Sequence, residues 1–455
     1  MKKNSTETDR SHMCLARFRS IAYLLFLWVV FLGGLLGTVL YIGTVSDYSG
    51  RLIEPGTRHL RQNEADRNGN TILDGISPLD AAWPKARLLS EIHNAAESLK
   101  QSISEAPPAG PSQLSRGVAI YFPASEAHQE KELKGLLLSV AIMRVSQPES
   151  IKTDLLVFTP PRGFEFAKSL GCVTEKRTSF SDPERCIIVE HVPLSERSGV
   201  VDPLLSYKRY LDSILMVAEY KDYSGYDMLI KTDMDTFVTP HFANWTLPAG
   251  KIIAVGRGGY SHSNADRRLS HIMKDSFGLI DSGAKNIGST WYGYSRVVVE
   301  ASKLSVAAMR WLDRMEFTEY ERTHHTTDTW PIWYWPVLTM YGGHVSINQI
   351  DPAKVIYNGH DDVEMDYGSA SNDPLKPAIK HIHCWHTDDF FSKFAFAKGT
   401  YDKMDLTSHS EMKTPSAYSA VVALSAVRLT TQEFATITND PKRMANNEWK
   451  RLTNV

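Results

Sequence analysis

An α/β fold, with a mostly parallel sheet flanked by helices, is what this sequence predicts. Three observations carry the prediction. From residue 117 onward, short apolar runs alternate with longer amphipathic ones, the pattern of strands joined by helical crossovers. One of those runs, Met228-Leu229-Ile230, ends in Lys231-Thr232-Asp233-Met234-Asp235. Two carboxylates spaced i, i+2 in an extended chain leave by one face, and parallel sheets bind ligands outside the carboxyl ends of their strands. An uncharged apolar segment, residues 21–45, precedes all of this.

The elements follow in order. Residues 117–123 (GVAIYFP) read as a strand, and 129–145 as a helix with Leu133, Leu136, Leu137, Val140 and Ala141 on one side. Residues 154–159 form a second strand, 164–170 a short helix and 186–192 a third strand. Asp202-Pro203 then has the form of an N-cap with Pro at the first helical position. The spacing of Leu204, Tyr207, Leu211, Ile214, Leu215 and Ala218 predicts a helix up to residue 223, stopped by Ser224-Gly225. The acidic strand comes next. After it, 251–255 is a strand, 256–264 a Gly/Ser/Asn-rich loop, 297–315 a helix, 344–348 a short strand and 379–385 a last strand. Residues 416–427 are apolar nearly all round but too short to cross a bilayer, so they are expected to pack on the domain.

At 455 residues and 42% hydrophobic, the chain has ample material for a core. Its formal net charge of −2 gives no electrostatic reason to expect nucleic acid. As a helix, residues 21–45 would reach roughly 37 Å, enough to span a membrane with some tilt. A signal-peptide core is about 7–15 apolar residues before a small-residue cleavage site, so an uncleaved anchor is the expectation. Lys2, Lys3, Arg10, Arg17 and Arg19 outweigh Glu7 and Asp9 on its N-terminal side, which keeps residues 1–20 in the cytosol. The arrangement is single-pass and type II. Cys14, just cytosolic of the span, is either an idle thiol or an acylation site.

Residues 46–115 are polar and interrupted and end in Pro107-Pro108-Ala109-Gly110-Pro111, the composition of a stem. Within it, Leu88, Leu89, Ile92, Ala96 and Leu99 mark a short amphipathic helix. Residues 66–74 have the alternating Asp/Asn of a calcium loop. Thr71 replaces the Gly of its sixth position, however, and Ser77 stands where a bidentate Glu belongs, so a polar turn is the reading. A lumenal domain permits disulfides. Cys172 and Cys186 flank a polar loop and are expected to pair, leaving Cys384 over. Asn244-Trp245-Thr246 is the glycosylation sequon on the lumenal side, whereas Asn4-Ser5-Thr6 faces the cytosol.

Three readings of Asp233/Asp235 compete. The bland one is a solvated turn. A second is the nucleophile motif of haloacid-dehalogenase phosphatases, DxDx(T/V), but Phe237 occupies the Thr/Val position and three strand–helix units come first. The third is the DxD of a nucleotide-sugar glycosyltransferase. Over roughly residues 117–396, the anchor and stem, the βα order, the DMD and a late His-containing strand together resemble the GT-A class of Golgi glycosyltransferases. That resemblance implies a GT-A-like, Rossmann-type sheet over residues 116–400, with residues 401–455 as a helical appendage.

The resemblance also implies a site. Asp235 would ligate Mn²⁺ or Mg²⁺, cations suited to hard oxygen donors, and Asp233 would reach the metal or the donor ribose. A His after the last core strand would complete the set. Of His381, His383 and His386, His383 best fits, with His386 in reserve. A Cys/His zinc site lacks a second cysteine pair. Phe122 and Pro123 would meet the nucleotide base, Lys208 and Arg209 the diphosphate, and Asn286, Gly288 and Ser289 would floor the sugar site. Lys231 balances the acidic pair. Asp328 is the acceptor-side carboxylate, a general base if the enzyme inverts, unless it merely caps the next helix. Trp330, Trp333, Tyr334 and Trp335 would stack on sugar or pack in the core. The expected partners are a UDP- or GDP-sugar and a glycan or glycoprotein acceptor in the Golgi lumen. A non-catalytic glycan-binding or scaffold protein on the same fold is the competing class.

Overall fold

The computed structural model describes residues 82–107, 112–207, 210–324, 332–384, 391–406 and 411–441, all within one unit, Gly75–Val455. The apolar segment 21–45, the calcium-like loop at 66–74, Lys208, Arg209, Asp328, Trp330 and His386 lie outside these residues. Among the described residues no helix is long and apolar enough to cross a membrane.

The first described helix, α1 (Lys85–Ser104), buries Leu88, Ile92, Ala96 and Leu99, the stripe its spacing predicts. Strand β1 (Leu114–Tyr121) is followed by α2 (Ala127–Val145), which a Glu126/Gln129 capping box starts. Next come β2 (Ile151–Thr159) and β3 (Cys186–Glu190). A disulfide joins Cys172 to Cys186 at the start of β3. The chain then returns through α3 (Asp212–Glu219) to β4 (Met228–Lys231) and, across the DMD turn, to β5 (Thr236–Val238). Beyond these lie β6 (Ile253–Arg257), β7 (Ile287–Tyr294), α4 (Ser295–Trp311), α5 (Leu338–Ile347) and β8 (Val355–Tyr357). Strands β9 (Tyr367–Gly368) and β10 (His381–His383) and helices α6 (Lys393–Ala397), α7 (Pro415–Arg428) and α8 (Thr431–Asn439) follow, and shorter helices span Phe164–Ser169, Ser263–His271 and Glu319–Thr323.

The main sheet has the order β3-β2-β1-β4-β7-β6-β8. Only β7 runs against the others, pairing antiparallel with both β4 and β6. The chain therefore builds outward from β1 to β3 and comes back to the other side of β1 with β4. That reversal opens a crevice at the carboxyl ends of β1 and β4. A small sheet, β5-β10-β9, stands beside it.

Helices α1, α3 and α5 pack against α4, while α7 and α8 pack on α2. The folded domain thus takes in both the helix from the region read as a stem and the segment read as an appendage. Tyr418 of α7 even donates to the Val238 carbonyl, at 2.8 Å, at the end of β5. On the same stretch, buried Arg116 of β1 holds the carbonyls of Phe242 (2.9 Å), Ala243 (3.0 Å) and Trp245 (3.1 Å). The segment leaving the DMD turn is pinned from both sides.

Two expected elements differ. The helix predicted over 202–223 is broken. Asp202 caps a 3₁₀ turn, Pro203–Ser206, and Tyr210 takes φ 54°, a left-handed conformation that cannot continue a right-handed helix. Regular helix resumes only at Asp212. The strand predicted at 344–348 is instead the end of α5. That helix is buried nearly all round, so its sequence lacks the polar face that would reveal the helical period. It also needs Gly342, where a Cβ would press into the Ser305 carbonyl of α4.

Candidate metal centre

The DMD segment is a bend between β4 and β5 rather than a continued strand. Thr236 Oγ1 donates to the Asp233 carbonyl at 2.7 Å and closes it. The two carboxylates nevertheless converge, because the bend replaces the pleat as the device that brings them together. Strand β10 supplies the third group. Its antiparallel register sets His383 opposite Thr236, and Cys384 N–H donates to the Asp235 carbonyl at 3.0 Å. One carboxylate oxygen each from Asp233 and Asp235 and one ring nitrogen of His383 all lie within 4.8 Å of one another.

A second layer fixes these groups. Asp366, fully buried, stands with Oδ1 3.3 Å from Nδ1 of both His383 and His381. Thr290 donates its hydroxyl to Oδ1 at 2.6 Å and its N–H to Oδ2 at 3.1 Å. Gly256 and Gly288, on neighbouring strands, make room for this carboxylate, since a Cβ on either would overlap Oδ2. Burial works against the Asp366 charge, but the two histidines and their hydrogen bonds win and hold its pKa well below the carboxylate range. His381 is committed to this layer, because its Nε2 meets Thr232 Oγ1 at 3.0 Å. Only the outer ring nitrogen of His383 faces the carboxylate pair, 3.4 Å from Asp235 Oδ1.

Lys393, at the start of α6, donates to Asp235 Oδ2 at 2.6 Å. Burial opposes the charge on Asp235, yet Lys393 and His383 outweigh it and keep the group ionised. Across from them on α2, the Glu132 carboxyl is pushed up to about 8 by burial and then by the Asp235 charge, with Lys393 opposing. Asp366, Lys393 and Glu132 carry no spacing signal that would join them to the DMD in sequence.

The donor set fits a divalent cation. Two carboxylates and an imidazole suit Mn²⁺ or Mg²⁺, and a carboxylate on the far nitrogen of the histidine is the usual second shell of a metal-binding imidazole. Unlike Lys393, Lys231 does not pair with the acids. Its ammonium donates to the Ser289 carbonyl at 2.7 Å and lies over the Trp291 ring at 5.3 Å, tying β4 to β7.

The remaining expected residues fall in several places. Phe122 is buried and packs on Phe166, so only its backbone borders the crevice. The Pro123 carbonyl at the end of β1 accepts from Arg162 Nε at 2.9 Å. Asn286, at φ 57°, accepts from Ser261 N–H, and Gly288 backs Asp366 instead of lying open to a sugar. Trp333 stacks on Phe317 and Tyr341 with Arg268 over its ring, and Trp335 donates to Asp313 at 2.7 Å. Those two indoles serve the core, not a sugar platform. Asn244 is exposed at the end of the pinned segment.

A family model matches residues 110–451 of the chain, which spans β1, the DMD bend, Asp366, His383 and Lys393. The chain belongs to the DUF7164 family. The family is described as a domain of unknown function. Curated proteins give no match. Among solved structures, the apo form of mouse xyloside xylosyltransferase 1 is 13% identical over 59% of this chain and 97% of its own, with a TM-score of 0.33. The galactosyltransferase LgtC, in complex with donor and acceptor sugar analogues, is 11% identical over 60% and 90%, with a TM-score of 0.31. The bifunctional glycosyltransferase WbbM is 11% identical over 62% and 47%, with a TM-score of 0.32. Likeness at that level does not carry function, which must be argued from the site itself.

Proposed function

We propose that this protein is a metal-dependent glycosyltransferase that moves a sugar from a nucleoside-diphosphate donor to a hydroxyl acceptor. The observation that carries the reading is the convergence of Asp233, Asp235 and His383 at the crevice end of β4, with Asp366 behind His383 and Lys393 beside Asp235. A divalent cation held by the first three would neutralise a donor diphosphate and the charge that grows on it as the glycosidic bond breaks.

The chain's own groups divide the remaining work. Asp366, 3.3 Å from His383 Nδ1, would hold a proton on that nitrogen and leave the other to a metal. Lys393, beside Asp235, would offer a second positive charge to the diphosphate. The backbone after β1, at Phe122 and Pro123, borders the base, with Lys208 and Arg209 on the diphosphate side. Asp328 is the acceptor-side carboxylate. We further propose a type II membrane protein of the Golgi, anchored by residues 21–45 with the catalytic domain lumenal. The Cys172–Cys186 disulfide and the exposed sequon at Asn244 support that placement.

The test is nucleotide release by the purified protein from a panel of UDP- and GDP-sugars, with and without Mn²⁺. Release is expected from one donor class and only with metal. Asp235→Ala should abolish it with an unchanged circular dichroism spectrum, and full release by that variant would overturn the assignment.

A further inference from the structure

A second feature lies along the same sheet edge. Because β7 is antiparallel, its first residue, Ile287, stands beside Arg257 at the end of β6, while Tyr357 ends β8 beside Val255. These ends, with the loops 282–286 and 358–364, enclose a cavity of about 420 Å³. Its wall is shared with the metal centre. Gly256 lines the cavity, Asp366 Oδ2 occupies the space where a Gly256 Cβ would stand, and Asp366 in turn holds His383.

The lining is polar and mixed in sign. Arg257 is exposed and presents a guanidinium, whereas Glu364 presents a carboxylate, steadied by Asn358 Nδ2 at 2.6 Å. Lys285 is already engaged by Asp266 at 3.3 Å. Asn286 and His360 add groups that donate and accept, and the Tyr357 ring adds a flat apolar face. An anion entering this space meets Glu364, and a cation meets Arg257. A pyranose satisfies both, because each hydroxyl donates and accepts and its C–H face suits an aromatic ring.

We infer that this cavity binds an uncharged sugar of the acceptor, so that the acceptor is a neutral glycan. The inference deepens the glycosyltransferase reading and rests on it for the word acceptor, although the sugar site itself can be tested apart from any turnover.

The probe is saturation-transfer NMR of the full chain with a panel of methyl glycosides: neutral hexosides, a pentoside and an N-acetylhexosaminide, set against methyl glucuronide. At least one neutral glycoside should give signal, methyl glucuronide should not, and Arg257→Ala/His360→Ala should cut the signal at least fivefold. In the turnover assay the same variant should raise the acceptor KM at least tenfold and leave nucleotide release to water unchanged. Stronger signal from the glucuronide, silence from every neutral glycoside, or an unaltered signal in the double variant would each overturn the inference. Sugar signal lost in the variant, but with no nucleotide release from any donor, would uphold the cavity and sink the transferase reading.

Discussion

Asp366 Oδ1 stands 3.3 Å from Nδ1 of His383, and the opposite ring nitrogen stands 3.4 Å from Asp235. One imidazole thus bridges a fully buried carboxylate and the outer acidic pair. The buried acid sets which nitrogen carries the proton, and the histidine can serve a metal only if that choice holds. Asp366→Asn keeps the shape but offers one carbonyl to two histidines and the Thr290 groups. Affinity for Mn²⁺, measured by calorimetry, should fall about 10–100-fold, the usual effect of losing the group that orients a metal-binding histidine. Wild-type affinity in this variant would remove Asp366 from the metal centre.

Lys393 and the metal compete for the same carboxylate. With Lys393 Nζ 2.6 Å from Asp235 Oδ2, the lysine acts as the counter-ion of the metal-free site. Lys393→Met should therefore weaken nucleoside-diphosphate binding by about 2 kcal/mol or more, the scale for truncating one member of a desolvated charge pair. Mn²⁺ alone should bind the variant no more weakly than the parent protein, because the competitor for Asp235 is gone. A variant that binds Mn²⁺ poorly and nucleotide normally would reverse the roles given to Lys393 and Asp235.

Much of this arrangement was legible in the sequence where the local signal and the tertiary answer agree. The strand before the DMD, the Leu88/Ile92/Ala96/Leu99 stripe and the Cys172–Cys186 pair are of that kind. His383, chosen by resemblance rather than by a local signal, does converge with the acidic pair, while His386 lies outside the described residues. The second layer was not legible. Asp366 follows a loop, sits at φ 56°, and owes its role to glycines on two strands far from it in sequence. Lys393 lies 158 positions from Asp235 in the chain and meets it only in the folded protein. Elements were misread where one residue overrides a pattern, as Tyr210 does at the broken helix, or where a helix is apolar on every side, as α5 is.

The glycine cradle is open to direct test. Gly256→Ala drives a methyl group into the Asp366 carboxylate. Overpacking of a close-packed interior costs about 1–3 kcal/mol, a loss that urea unfolding reads directly. The double variant Gly256→Ala/Asp366→Ala removes the overlapping atoms, so the two changes should be strongly non-additive. Strict additivity of the two costs would show that the carboxylate and the glycine do not meet.

A buried histidine away from the metal centre gives the protein an acid-sensitive core. His344 of α5 has Nδ1 3.1 Å from the Tyr260 hydroxyl, which accepts from Ile287 N–H at 2.9 Å. Burial lowers the His344 pKa to about 4, with the nearby Asp266 and Asp281 only partly opposing. In the unfolded chain the same group titrates near 6.5. Between those values the unfolded state binds the extra proton, so stability rises with pH across the window and is lost as pH falls from about 6.5 toward 4. From pH 7 to pH 5 this one group should cost about 2 kcal/mol of unfolding free energy. His344→Leu removes the titrating group at a cost that does not depend on pH. Unfolding free energies from urea titrations at the two pH values should then differ by less in the variant than in the parent protein, by about 2 kcal/mol. Equal acid sensitivity in both would show that His344 is not the group that charges on unfolding.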